Sequence, residues 1–323
     1  MKIGVFTVLM SDRPLEKVAE YLAGLGVEAV ELGCGGYPGN AHCNATELLA
    51  DSGKRKNLKS ILDSNGLEIS ALSMHGNPVH PNKEIARAHV KDQENAILLA
   101  EKLDVDTVIT FSGCPGDHPG AKFPNWVTCA WPPDYPQILE WQWNEVLIPF
   151  WREALKVARN HGVAKIGFEM HPGFAVYNPE TLLRLREAAG PEIGANFDPS
   201  HLFWQGIDAC TAIRALGKEK AIHHFHAKDT KVDANNTRLN GVLDTKSYTK
   251  ESERSWIFRS LGYGNSLEVW KGMVSELRLA GYDGALSIEH EDSLMSANEG
   301  LEKGIALLKD VLVTQPAGKA YWA

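Results

Sequence analysis

Short β-rich runs alternate with longer amphipathic stretches along this chain, and that alternation limits the fold more than any other feature. Residues 2–8, 28–32, 67–73, 105–111, 164–169, 193–198, 221–226 and 285–289 read as strands. Residues 15–25, 46–64, 83–103, 141–161, 179–189, 207–216, 267–280 and 298–311 read as helices, with Gly26 and Gly66 as stops. A strand followed by a helix, repeated, predicts a parallel sheet covered by helices. About eight such units suit an α/β fold of the (β/α)8 TIM-barrel type. The 323 residues then form one domain, 1–323. A doubly wound open sheet is the competing solution. The barrel is preferred because polar residues at the strand ends would meet at its mouth.

Two connections exceed simple βα loops. Residues 112–140, after strand 4, are rich in proline and carry Trp126 and Trp131. Residues 229–266, after strand 7, are polar and carry Tyr248, Trp256, Arg259 and Tyr263. Both would rise over the C-terminal face, where long loops act as lids or binding walls. The Asn-rich stretch 233–240 reads as the part most suited to an irregular excursion.

Four strands of the second half end in groups that bind metals. They close as Gly167-Phe168-Glu169, Asn196-Phe197-Asp198, His224-Phe225-His226 and Ser287-Ile288-Glu289. Successive strand residues face opposite sides. If Phe168, Phe197, Phe225 and Ile288 point out to the helices, Glu169, Asp198, His226 and Glu289 point into the mouth. Three crowded carboxylates repel one another, and a divalent cation removes that penalty. Three oxygen donors and one imidazole favour Mn²⁺ first, then Mg²⁺ or Co²⁺, with Zn²⁺ or Fe²⁺ also compatible. The five cysteines show neither zinc-ribbon nor redox spacing, so no thiolate site or disulfide framework is expected.

These motifs, extended as Phe168-Glu169-Met170-His171-Pro172, Asn196-Phe197-Asp198-Pro199-Ser200-His201, His224-Phe225-His226-Ala227-Lys228-Asp229 and Ser287-Ile288-Glu289-His290-Glu291-Asp292, resemble those of the xylose isomerase-like TIM barrels. Val30-Glu31-Leu32-Gly33 and Leu72-Ser73-Met74-His75-Gly76 look like markers of the same group. Nearly the whole chain takes part in the resemblance, which speaks to fold and metal rather than to substrate. The group includes sugar-phosphate isomerases and epimerases, ketose 3-epimerases, inosose dehydratase and endonuclease IV. The resemblance to ketose epimerases implies that Glu169 and Glu289 bind metal and act as acid and base. It further implies that Asp198 and His226 are plain ligands and that His201 touches substrate. One metal is expected rather than the multi-zinc cluster of endonuclease IV, whose full histidine set is not found.

A cation between two glutamates suits proton transfer beside a carbonyl through a metal-stabilised enediolate. The expected function is therefore a metal-dependent isomerase or epimerase acting on a keto-sugar or polyol derivative. Expulsion of a β-oxygen substituent would instead make it a lyase, of the inosose dehydratase kind or one cleaving a 3-keto-glycoside. A non-catalytic sugar-binding barrel is the third reading, and retention of all four ligands argues against it. His75, Lys228, Arg259 and Trp126 join His201 as candidate substrate contacts, and Lys228 could equally pair with Asp229 or Glu291. His224 would lie one layer below His226, supporting it or simply packing.

The net charge of −8 and the lack of a long basic run argue against nucleic acid and anionic membranes as partners. With no signal-type N-terminus and no bilayer-length apolar run, a cytoplasmic protein with a small carbohydrate substrate is expected. Exposed barrel helices often mediate dimers or tetramers in such families, so a homo-oligomer is expected too.

Overall fold

The structure, a computed structural model, describes residues 1–316 and 318–322. Eight parallel strands close into a barrel. They are β1 (Lys2–Phe6), β2 (Ala29–Gly33), β3 (Glu68–Ser73), β4 (Thr107–Thr110), β5 (Lys165–Glu169), β6 (Ile193–Phe197), β7 (Ile222–Ala227) and, last in the chain, β10 (Ala285–Ile288). Each barrel strand pairs with its sequence neighbour, and β1 closes the ring on β10, with Gly4 opposite Ser287. The closed parallel barrel predicted from the alternation is the architecture observed.

Helices wrap the outside because each carries an apolar stripe at helical spacing. Leu15–Gly24, for example, buries Val18, Ala19 and Leu22. Outward strand residues meet these helices as the period-two pattern requires. Phe168 is fully buried against Trp151 of the helix Ile148–Asn160, with ring centroids 4.5 Å apart. Phe197 and Phe225 stack at 5.5 Å on neighbouring strands.

Some boundaries differ from expectation for local reasons. The helix expected over 46–64 is two helices, Ala45–Ala50 and Ser52–Ser64. Asp51 separates them, its side chain capping the second by accepting from the amides of Gly53 and Lys54. The helical segment expected from residue 141 starts earlier. Asp134–Trp141 runs on through a wide turn at Gln142–Leu147 into Ile148–Asn160. The Asn-rich stretch is no irregular excursion: Ala234–Asn240 is a helix, because Asp233 caps it by accepting from Asn236 N.

The long segment after β7 is likewise ordered. Its ends form an antiparallel ribbon of β8 (Asp229–Val232) and β9 (Trp256–Arg259), with Asp229 opposite Arg259. Trp256 stacks on Trp204 at 4.7 Å, nearly coplanar. The proline-rich loop after β4 is pinned by Gln142, whose side-chain amide donates to the carbonyls of Gly116 and Asn125. Among the described residues, no helix is long and apolar enough to cross a membrane.

Candidate metal centre

The four strand-end groups converge. Glu169 ends β5, Asp198 follows β6, His226 lies in β7 and Glu289 follows β10. Each offers a ligand atom, and these atoms all lie within 4.8 Å of one another. Parity and closure together explain this. The strands are neighbours in the barrel, and their apolar partners at alternate positions occupy the outer face.

Local sequence fixes the rotamers. Asp198 caps the one-turn helix Pro199–Phe203, with Pro199 at its first position. Its Oδ1 accepts from Ser200 N at 2.8 Å, which leaves Oδ2 for the cluster. The same turn folds His201 back over the site. Its Nε2 donates to Glu169 Oε1 at 3.0 Å and stands 3.2 Å from Asp198 Oδ2. His75 Nε2 donates to the other Glu169 oxygen, also at 3.0 Å. Lys228 is buried, 3.2 Å from Glu289 Oε2 and 2.6 Å from Glu291 Oε2. The pairing of Lys228 is thus with Glu289 and Glu291. Asp229 instead accepts from the amides of Thr230, Gly262 and Asn265.

Whether these residues fit a cation is tested by their unpaired atoms. Asp198 Oδ2 and His226 Nδ1 are buried without a hydrogen-bond partner among the described residues. Buried polar atoms are ordinarily bonded, and exceptions call for an explanation such as an ion. His226 Nδ1 lies 3.2 Å from Glu169 Oε2 and 3.1 Å from Glu289 Oε2, facing the same point as Asp198 Oδ2. Three carboxylates and one imidazole whose Nδ1 makes no hydrogen bond therefore fit a divalent cation.

The electrostatics agree. Burial pushes the Asp198 carboxyl above its usual range, against the opposing influence of His201 and Lys228. Burial opposes protonation of His226, but Glu31, Glu289 and Glu169 outweigh it and hold the imidazole well above its ordinary value. Burial also opposes ionisation of Glu289, yet Lys228 and His226 bring it down to about 2. Without a metal, the positive charge that faces Glu289 is carried by His226 and Lys228, and a bound divalent cation would take the place of the proton on His226 Nδ1.

Above the cluster lies a cavity of about 220 Å³ whose walls include Phe6, His75, Phe111, His171, Lys228 and Glu291. A second space of about 460 Å³ shares His171 and Glu291 with it and is faced by Tyr248, Ile257 and Phe258. Three expected contacts are not brought to either space: His201 is turned to Glu169 and Asp198 instead. Arg259 is drawn away by Asp292, whose Oδ2 accepts from its Nε at 3.0 Å. Trp126 packs edge-on against Tyr177, ring centroids 5.4 Å apart. Trp131 is 76% exposed, and Trp256 is spent on Trp204.

Sequence reasoning passed over Glu31 as a functional residue. It is fully buried, and both its oxygens lie 2.9 Å from His226 Nε2. The signal was present, since a carboxylate inside the apolar strand Ala29–Gly33 requires a buried partner. His224 lies below His226, bonded to Asn196 and Ser70.

Solved structures share this fold at low identity. The probable 3-DHS dehydratase AsbF of Bacillus anthracis superposes with a TM-score of 0.66 at 17% identity, covering 96% of this chain and 99% of that one. A D-tagatose 3-epimerase-like protein gives 0.64 at 22% identity, covering 96% and 98%. The IOLI protein with a bound zinc atom gives 0.65 at 15% identity, covering 97% and 98%. Among curated sequences, "Uncharacterized protein YfiH" of Bacillus subtilis (strain 168) is 39% identical over 314 residues, 97% of this chain and 99% of that protein. The family profile described as "Xylose isomerase-like TIM barrel" matches residues 19–311, and the chain belongs to that family.

Proposed function

We propose that this protein is a divalent-metal-dependent isomerase or epimerase acting on a keto-sugar or polyol derivative. One observation carries the reading: two unpaired buried atoms, Asp198 Oδ2 and His226 Nδ1, face two glutamates on the floor of a cavity. Glu169, Asp198, His226 and Glu289 would hold the ion, Mn²⁺ first by donor chemistry. When bound, the ion supplies Lewis-acid polarisation of a substrate carbonyl.

The chain's own groups do the rest. Glu289 is tied to its neighbours through Oε2, so Oε1 is the oxygen suited to take the proton beside the carbonyl. Glu169 is oriented by His75 and His201 and would hold or return a proton from its own side of the substrate. Lys228 would steady a substrate oxygen, and Phe6 and Phe111 exclude water from the cavity. The adjoining aromatic space supports a substrate larger than a free triose, such as a sugar ring bearing a substituent.

A lyase is the second reading, favoured by the Lys228 ammonium beside Glu289, whose positive charge would steady a departing β-oxygen. Incubation of Mn²⁺-loaded protein with a panel of keto-sugars and 3-keto-glycosides in D₂O tests both. Deuterium at the α-carbon without other mass change supports the epimerase, and loss of water or aglycone supports the lyase. Neither exchange nor elimination across the panel refutes the proposal.

A further inference from the structure

Glu31 enters none of the steps above, yet it is built into the barrel with unusual completeness. A register shift between Val30 and Glu31 breaks the regular β2–β3 ladder at this residue. Such bulges re-aim side chains. Here the carboxylate points to the barrel axis, where Ser287 Oγ donates to Oε2 at 2.7 Å and Ser73 Oγ donates to Oε1. His226 Nε2 lies 2.9 Å from each oxygen. Phe6 stacks on the imidazole at 5.6 Å, with an interplanar angle of 26°, and fixes the ring plane from β1.

We propose that Glu31 is the positioning residue that makes His226 a metal ligand through Nδ1. An ionised carboxylate only accepts hydrogen bonds, so Nε2 must carry the proton it donates. When a cation displaces the proton on the other nitrogen, the ring keeps its remaining proton on Nε2 and presents its lone pair at Nδ1, the atom left unpaired opposite Asp198 Oδ2. Carboxylate partners of ligating histidines fix tautomer and orientation in this way. The inference rests on the metal reading above and extends it to the residue that governs retention of the ion.

Glu31→Gln tests it with the shape nearly kept. Its side-chain amide can donate to Nε2, which moves the ring proton to Nδ1 and blocks the donor atom. Zn²⁺ affinity of the metal-free protein, read by competition with a chelating dye, should fall about 10–100-fold. Ser287→Ala is the structural control: it removes one bond to Glu31 but keeps the charge, so the loss should stay below about tenfold. Imidazole ¹⁵N spectra of the zinc-loaded wild type should show His226 protonated at Nε2 and coordinated at Nδ1. Those spectra decide the matter even if Glu31→Gln fails to fold. Unchanged Zn²⁺ affinity in Glu31→Gln, or ligation through Nε2, overturns the inference and leaves the metal centre standing. A wild type that binds no Zn²⁺ overturns both.

Discussion

Replacing Glu289 with Gln separates catalysis from folding at this centre. The carboxylate lies 3.1 Å from His226 Nδ1 and 3.2 Å from Lys228 Nζ. General-base transfer contributes about 10²–10⁴-fold, so turnover should fall by about 3–5 kcal/mol of barrier. The fold should survive. Lys228 keeps Glu291 at 2.6 Å and Asp198 at 3.9 Å, so the buried ammonium stays paired. Two of the three carboxylate pairs also disappear. Like charges within 4.8 Å repel by about 3 kcal/mol at an effective dielectric near 20. That relief is smaller than the attraction lost, since Lys228 and His226 hold the Glu289 carboxyl at about 2 in the folded state, so without metal the variant should melt several degrees below the metal-free wild type at neutral pH. The assay is α-deuterium incorporation from D₂O under Mn²⁺, alongside calorimetric melting with and without the ion. A folded Glu289→Gln protein that retains more than about a tenth of wild-type exchange would refute the two-glutamate chemistry.

Other outcomes follow from the same geometry. Stripping divalent ions with a chelator should lower the melting temperature, and Mn²⁺ at 1,000 times its Kd should restore about 4 kcal/mol; a melt indifferent to both would remove the metal centre. Tyr248→Ala should lower kcat/KM about tenfold for substrates with an apolar substituent and leave free ketoses unaffected, since Tyr248 faces only the outer space; equal effects on both would refute that placement. Asp229→Ala leaves the amides of Gly262, Gly264 and Asn265 without their acceptor, costing about 3 kcal/mol and exposing the segment after β8 to limited proteolysis; unchanged proteolysis would contradict it. Burial opposes ionisation of Asp244, but amide bonds from Ser255 and Lys246 bring it from 3.8 to about 2. Its folded value is depressed, so its contribution of about 2 kcal/mol is present above pH 3.8 and lost as pH falls through about 2. Asp244→Asn should flatten that acid limb in chemical denaturation, and an unaltered acid limb would count against it.

Period-two alternation at four strand ends was enough to name Glu169, Asp198, His226 and Glu289 as inward-facing, because strand geometry is local. The aromatic residues between them were assigned to the helix side by the same rule, and Phe168 on Trp151 is where that rule led. Closure of the barrel also followed from the count of strand–helix units and from those converging ends. Rotamers and partners did not. Arg259 and Trp126 had the right chemistry and stood in the right loops. Asp292, 33 residues onward, and Tyr177, on another connection, decided where they point. Glu31 was legible as a marker but silent as to partner, because His226 lies 195 residues away.

The sequence by itself therefore determined which side chains face the barrel axis, since a strand's parity depends only on its neighbours in the chain. Tertiary structure alone decided which of those side chains meet and what holds them. Closing the ring brings first-half β2 across to β7, and it left Asp198 Oδ2 and His226 Nδ1 unpaired at one shared point. Hydrogen-bond satisfaction across such distances is a property of the packed barrel, where each buried group takes the partner that closure brings within reach.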